Sequence, residues 1–505
     1  MKKRMKKVMA ALMAVAVIMV GTGCADKGSD TASAGDTLKF AVSAEPDNLN
    51  PMMSAASDTG GIMMNVYEGL LTYDTDGYFL PCLAEGYEIS EDGLEYSFKL
   101  QTGIKFHNGE DFSAEDVKYT YEKLAGLDGG EPLSQTFADV IESVETPDEE
   151  NVVIRLKHVD AGFLCRCVIA IQEKDYQDDS TNPVGTGPYM FDEYVQGQKV
   201  VLTKNPDYKT VESRIPEVEK VEFRIMTDPN AVLMALKSGD LDVAAIDAAQ
   251  VDVIGDKFEI VEGLRNTVQL MALNNTVEPF NDVRVRQAVN YAVNKEEIIN
   301  TIVKGHGQRV DSFLSPRMPF FYNDEMTTYE TDIEKAKELL KEAGYPDGFK
   351  MTITVPSNYK IHVDAAQVIK SQLEKVGIIA DIQLVEWAQW LDQVYTKADY
   401  QASIVGHSGK LDPQDFLNRF QSTYAKNYFK FNDPAYDQLI VDAASTTDPD
   451  ERAAIYKECQ QMLVDQAAAV YIQDPFMIYA VNKAYENVEI YPMTFFDIGS
   501  VRMAE

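Results

Sequence analysis

The sequence predicts an α/β protein in which helices cover sheets and the chain divides into at least two lobes. Strand-like and helix-like stretches succeed one another from Leu38 to Leu384, the order that builds layered sheets and helices. The chain has 505 residues, 45% of them hydrophobic, which is more than a single core holds. No internal repeat organises it as a solenoid.

The first residues are read separately from the fold. Lys2, Lys3, Arg4, Lys6 and Lys7 form a basic cluster before the uncharged run Val8 to Val20, which is too short to span a bilayer and suits the apolar region of a secretory signal. The run ends in Gly21-Thr22-Gly23-Cys24, which resembles a bacterial lipoprotein cleavage box, although that pattern prefers Leu where Gly21 stands. The plainer alternative is an ordinary signal peptide with an incidental cysteine. Residues 1–23 are thus expected to be a signal peptide, and residues 24–36 a lipidated Cys24 with a flexible tether, since Ala25 to Asp36 is rich in Ser, Thr, Gly, Ala and Asp. No later stretch approaches a membrane span, so the expected product is an extracytoplasmic body tied to the cell membrane.

Beyond the tether, Leu38 to Val42 reads as a strand followed by the loop Ser43 to Asn48. Glu95 to Leu100 alternates polar and apolar residues as a half-buried strand does, and Ser113-Ala114-Glu115-Asp116 is a capping box for a helix carrying Val117, Tyr121 and Leu124. Phe163 to Ile171 reads as an apolar strand in which Cys165 and Cys167 share one face. Asn230 to Lys237 is a helix closed by Gly239, with a strand at Leu241 to Ala244. Asn281 opens a long helix with Val285, Val289, Ala292, Ile299 and Val303 on one face; Asp332 opens another that stops at Gly344. A helix from Asp364 to Val376 ends at Gly377, and Ala380, Ile382 and Leu384 alternate as a strand. Loops after strands are the places to look for a site.

Composition excludes some functions. A formal net charge of −35 argues against nucleic acid as a partner, because phosphates need a basic face. Cys82, Cys165, Cys167 and Cys459 lack the spacing of a disulfide framework and are read as small buried hydrophobes, Cys459 beside Ile455 and Met462; their redox state is left open. No serine elbow, zinc motif or phosphate-binding glycine loop is present, and His107, His158, His306, His362 and His407 show no ligand spacing. The expectation is a protein with no catalytic residues, metal or cofactor. A glycosidase using two carboxylates, and a surface chaperone or adhesin, stay as lesser alternatives.

Several segments resemble the peptide and nickel receptors of ATP-binding-cassette importers, the family 5 extracytoplasmic solute-binding proteins. They are Leu83-Ala84-Glu85-Gly86-Tyr87 and Asp92 to Leu100, continuing through Gly103 to Gly109 and Phe112 to Val117; Pro183 to Tyr189 with Asn205-Pro206-Asp207-Tyr208; Phe280 to Val289; and Ala336 to Tyr345. The resemblance implies a two-lobed, hinged periplasmic-binding-protein-like fold. Lobe I comprises residues 37–65, 183–268 and 478–505, residues 66–182 form an extra subdomain of that lobe, and lobe II comprises residues 269–477. It implies capture of a small ligand by hinge closure and delivery to permease subunits, by a monomer. A short peptide is the first expected ligand and an oligosaccharide the second.

The candidate site lies between Val385 and Phe416. Trp387 and Trp390, the two tryptophans of the chain, stand three residues apart and offer flat plates to a ligand if they face the cleft, or pack in a core if they do not. The strand from Gln401 to Val405 leads into Gly406-His407-Ser408-Gly409-Lys410-Leu411-Asp412-Pro413, a polar, glycine-rich loop suited to ligand hydrogen bonds. Many peptide receptors of the family hold the ligand's amino group with an aspartate at the position of Gly409. Its absence, beside Lys410, points towards a neutral hydroxyl-rich or an acidic ligand unless Asp412 or Glu45 substitutes. Glu45 and Asn48 in the first loop, and Asn274 near the expected hinge, complete the list, each either a contact or a satisfied loop residue.

Overall fold

The computed structural model describes residues 37–504. The signal segment, Cys24 and the tether therefore lie outside the described residues. The described chain is mixed α/β, and its largest sheet has twelve strands. Along it the order is Ile379–Val385, Lys350–Pro356, Ala402–Ser408, Thr267–Leu273, Ala469–Asn482, Val243–Ala245, Thr37–Val42, Lys220–Ile225, Lys199–Lys204 and Tyr189–Val195, while Phe258–Leu264 and Gly307–Arg309 pair with Ala469–Asn482. The strand Ala469–Asn482 serves two packing regions in succession. Its residues 469–473 pair with Thr267–Leu273, and its residues 476–482 pair with Phe258–Leu264. The change of partner falls at Asp474 and Pro475, which face Gln308 and Gly307.

Separate apolar cores lie on either side of that change. Leu38, Phe40, Leu202, Val221, Phe223 and Val481 pack together on one side. On the other, Leu273, Val285, Leu340, Ile353, Ile369 and Ile472 form one core, and Val268, Phe313, Trp390, Phe420, Phe429 and Tyr456 another. A four-stranded antiparallel sheet, Ala84–Ile89, Glu95–Leu100, Asn151–Leu156 and Ile141–Asp148, has its own core of Tyr96, Phe98, Val117, Tyr121 and Ile154. The helix Ala114–Ala125 covers it, opened by the expected box of Ser113 and Asp116 and closed by Gly126 at φ +70°.

Some elements differ from expectation for local reasons. Phe163–Val168 is a turn of 3-10 helix, not a strand: Asp160 accepts from the backbone of Gly162 and Phe163 and winds the chain, burying Phe163 and Cys167 while Cys165 turns away. The helix expected from Asn281 is capped by Asp282 and runs Val283–Ala292. It breaks because Asn294 caps a second helix, Lys295–Ile302, by accepting from Glu297 N, and Val293 is extended. The helix expected over Asn230 to Lys237 runs Pro229–Ser238 and is capped by Asp228; the next strand is Val243–Ala245; and the helix expected from Asp364 begins at Lys360. Cys82, Cys165, Cys167 and Cys459 are free thiols, and burial pushes those of Cys167 and Cys459 up to about 12.

Candidate functional site

A cavity of about 560 Å³ opens between several stretches of chain. One wall is Met63 to Tyr73 with the turn Cys165 to Ala170, a second is the C-terminal segment Glu489 to Phe495, and the far side is formed by Arg265 and Thr267 together with Ser408 to Leu411 and Asp415. The far side comes from the entry to one central strand and the exit from its antiparallel neighbour: Thr267 pairs with Ser408. Sheet register thus places both loops at the same edge.

The floor is a network of paired charges, in which the buried Nε of Arg166 lacks a hydrogen-bond partner. Glu68 accepts from Tyr208 Oη at 2.7 Å and Thr186 Oγ1 at 3.0 Å. Burial pushes its carboxyl up, and nearby Arg214 and these hydrogen bonds oppose that. Arg214 Nε is 3.0 Å from Asp497, and its guanidinium lies 4.9 Å from the Phe495 ring centroid. Tyr491 Oη donates to Asp497 at 2.9 Å. Arg166, on the turn, pairs with Asp160 at 2.8 Å. Such groups are already neutralised and make a fixed polar surface rather than a charged anchor. Arg265 and Lys410 differ: both are exposed in the cavity, and neither enters an ion pair among the described residues.

A second cavity of about 400 Å³ adjoins the first through Cys165, Lys410, Leu411 and Pro492. Its walls carry Tyr78, Phe79, Tyr96, Phe320 and Phe321, an aromatic lining suited to bulky apolar groups.

The expected loop residues meet here in part. Ser408, Gly409 and Lys410 line the first cavity, and Lys410 and Asp412 the second. Asp412 is held by Arg452 at 2.8 Å, with both side chains buried, and also accepts from Gln414 N. Both of its oxygens are thus engaged within the protein. Gly409 has a steric reason to be glycine: a Cβ there would lie 2.0 Å from Asn266 Nδ2. Gly409 N donates to Asn266 O at 2.5 Å, and Asn266 Nδ2 donates to Lys410 O at 3.1 Å.

The other candidates lie elsewhere. Trp390 is 1% exposed, donates Nε1–H to Ser403 Oγ at 2.9 Å and stacks on Trp387 with ring centroids 5.0 Å apart. The short helix Trp387–Trp390 and the wider π-helical turn Leu391–Thr396 fold Trp390 onto Tyr395 and Tyr428 and Trp387 against Tyr359, and neither tryptophan lines the two cavities. His407 bonds Tyr428 Oη at 2.7 Å, and burial pushes its ring down to about 3, so it is neutral. Glu45 accepts from Tyr194 Oη and from Gly197 N, Asn48 Oδ1 accepts from Asn50 N in a local turn, and Asn274 Nδ2 holds the carbonyls of Ala398 and Tyr400. Each of these side chains thus has at least one hydrogen-bond partner within the protein.

The sequence reading missed Arg265, Glu68, Arg214 and the segment Glu489 to Phe495. Glu489 to Phe495 shows no periodicity, and Arg265 sits in a two-residue link between strands; only their return to the sheet edge reveals them. Among the described residues no group of His, Cys, Asp and Glu is arranged to hold a metal, and no helix is long and apolar enough to cross a membrane.

Residues 79–428 match the family model described as bacterial extracellular solute-binding proteins, family 5 middle. The chain is similar to heme-binding protein A of Haemophilus influenzae, with 29% identity covering 86% of each chain. It is also similar to di/tripeptide-binding protein 1 of Pseudomonas aeruginosa, with 28% identity over 92% of this chain and 94% of that one. A third relative is the oligopeptide-binding protein AppA of Bacillus subtilis, 28% identical over 97% of each chain. The solved structure of AppA in complex with a nonapeptide matches with a TM-score of 0.73 and 26% identity, covering 93% of this chain and 99% of that chain.

Proposed function

Because this chain belongs to the bacterial extracellular solute-binding proteins of family 5, which are solute-binding proteins of the peptide importer group and not enzymes, we propose that it captures a short peptide and delivers it to the permease of an ATP-binding-cassette importer. The observation that carries this reading is the cavity of about 560 Å³, whose walls come from both sides of the partner change in Ala469–Asn482. A ligand touching both walls stabilises closure, because closure is favoured only by contacts absent from the open form.

In this reading lobe I comprises residues 37–65, 183–268 and 478–505, residues 66–182 are its extra subdomain, and lobe II comprises residues 269–477. The separation of the apolar cores supports that division. The protein acts as a monomer held at the cell membrane by lipid on Cys24, a reading supported by the basic and apolar N-terminal pattern. An oligosaccharide ligand is not favoured. Its support was the pair of tryptophans as stacking plates, and these stack on each other instead.

A thermal-melting panel on the chain from Asp36 onward, which forms a compact unit, tests the proposal with dipeptides to pentapeptides and neutral oligosaccharides. A native-state ligand raises the melting temperature by mass action. The expected result is a rise with peptides alone; a rise with oligosaccharides alone refutes the peptide assignment.

A further inference from the structure

We infer that the first cavity receives an anionic group of the ligand, a carboxylate, between Arg265 and Lys410; this rests on the proposed function only in taking that cavity as the ligand site. Asn266 and Gly409 clamp two loops together at one edge of the sheet. Gly409 N donates to Asn266 O, and Asn266 Nδ2 donates to Lys410 O, so the link before one strand is fastened to the loop after its neighbour. Asn266 is fully buried and holds φ +56°, which fixes the course of the link. Asp474 secures the same link from the other side, accepting from Arg265 N at 3.2 Å and Thr267 N at 3.1 Å.

The clamp has an electrostatic result. Arg265 precedes Asn266 and Lys410 follows Gly409, so two cations flank one clamp and line one cavity. Like charges brought together repel unless an anion lies between them. The surrounding acids act on these cations without forming an ion pair: Asp474 is felt by Arg265 and Asp415 by Lys410. Glu68 is engaged by Tyr208 and Thr186, and Asp474 by Ser315 and the backbone. Asp415 is pushed towards its neutral form by burial and by Asp412, against the opposing charges of Arg166 and Lys410. Glu489 is exposed to solvent and lies 3.2 Å from Tyr491 Oη, whose one proton goes to Asp497. A carboxylate cannot be carried at position 409 either, since even a Cβ meets the Asn266 amide. In a chain with a formal net charge of −35, two unpaired cations at the mouth of an interior cavity form a local reversal of sign. Arg offers a planar fork for a carboxylate and Lys a point charge, which together hold one anionic group from two sides.

Calorimetric titration of the chain from Asp36 onward tests this with two sets of probes. The first is trileucine with free termini, its C-terminal amide, and its N-acetylated acid. The second is 4-phenylbutyrate and 4-phenylbutyramide, which carry no peptide. In each set that binds, the acid is expected to exceed the amide by about tenfold or more, as loss of a charge-assisted contact implies, and N-acetylation to change affinity less than about threefold. Lys410→Ala and Arg265→Ala should each lower affinity for the acid with an unchanged melting temperature, and Lys410→Arg should retain it. Equal binding of acid and amide, loss on acetylation but not amidation, or no binding of any acid overturns the inference. If peptides fail while phenylbutyrate binds with the stated preference, the peptide assignment falls and the anionic site stands.

Discussion

Asp412 and Arg452 illustrate how a loop residue that looks available is claimed by the fold. Arg452 reaches from the helix Pro449–Asp465 to both oxygens of Asp412, donates to Ala443 O and lies 5.1 Å from the Tyr456 ring centroid. The partner sits forty residues away in sequence, so no local pattern announces it. Removing the carboxylate leaves a buried guanidinium without its counterion, which typically costs about 3–5 kcal/mol. Asp412→Ala should therefore lower the unfolding free energy by about that amount in urea titrations. A change below about 0.5 kcal/mol would place Asp412 among ordinary surface residues and reopen it as a ligand anchor. The tryptophans teach the same lesson: their spacing showed that they share a face, but not that Ser403 would receive the Trp390 indole. By contrast, Ser408, Gly409 and Lys410 were legible, because a polar loop at a strand's end lies at the edge where sites form.

At the scale of elements, local rules read well and long-range ones did not. The box at Ser113 and Asp116, the cap at Asp332 and the alternation in Ile379–Val385 depend on residues within a turn or strand, and the sequence displays them directly. The break between Val283–Ala292 and Lys295–Ile302 was missed because the apolar period continues across it, and only the competing cap of Asn294 interrupts the helix. The double role of Ala469–Asn482 was equally hidden, since pairing with two partners leaves no mark on a strand buried along most of its length.

That strand carries Asp474 at the change of partner, and burial pushes its carboxyl up to about 6 against the opposing bonds from Ser315, Thr267 and Arg265. The native state thus takes up this proton more readily than the unfolded chain, where the group titrates near about 3.9. Its stabilising contribution is complete below about pH 3.9 and is lost as pH rises through about 6. The stability of the natural protein relative to Asp474→Asn should fall by on the order of 2–3 kcal/mol between pH 4 and pH 7. Parallel urea titrations across that range measure it, and a flat difference would show that Asp474 keeps an ordinary acidity.

At the scale of the molecule, the cavity matters because its walls lie on both sides of the partner change and meet in a small apolar cluster of Tyr73, Leu411 and Phe495. The strand Ala469–Asn482 and the link from Leu264 to Thr267 connect these regions, and Asp474 bonds the link to the strand. A ligand bridging both walls would favour the compact arrangement. The family resemblance in the sequence pointed to such an architecture, but the position and lining of the cavity required the folded chain. Small-angle X-ray scattering of the chain from Asp36 onward, with and without a peptide that raises its melting temperature, tests the central claim most directly. The account predicts a fall in the radius of gyration when the peptide saturates the protein. Saturation with an unchanged radius of gyration would contradict capture by closure.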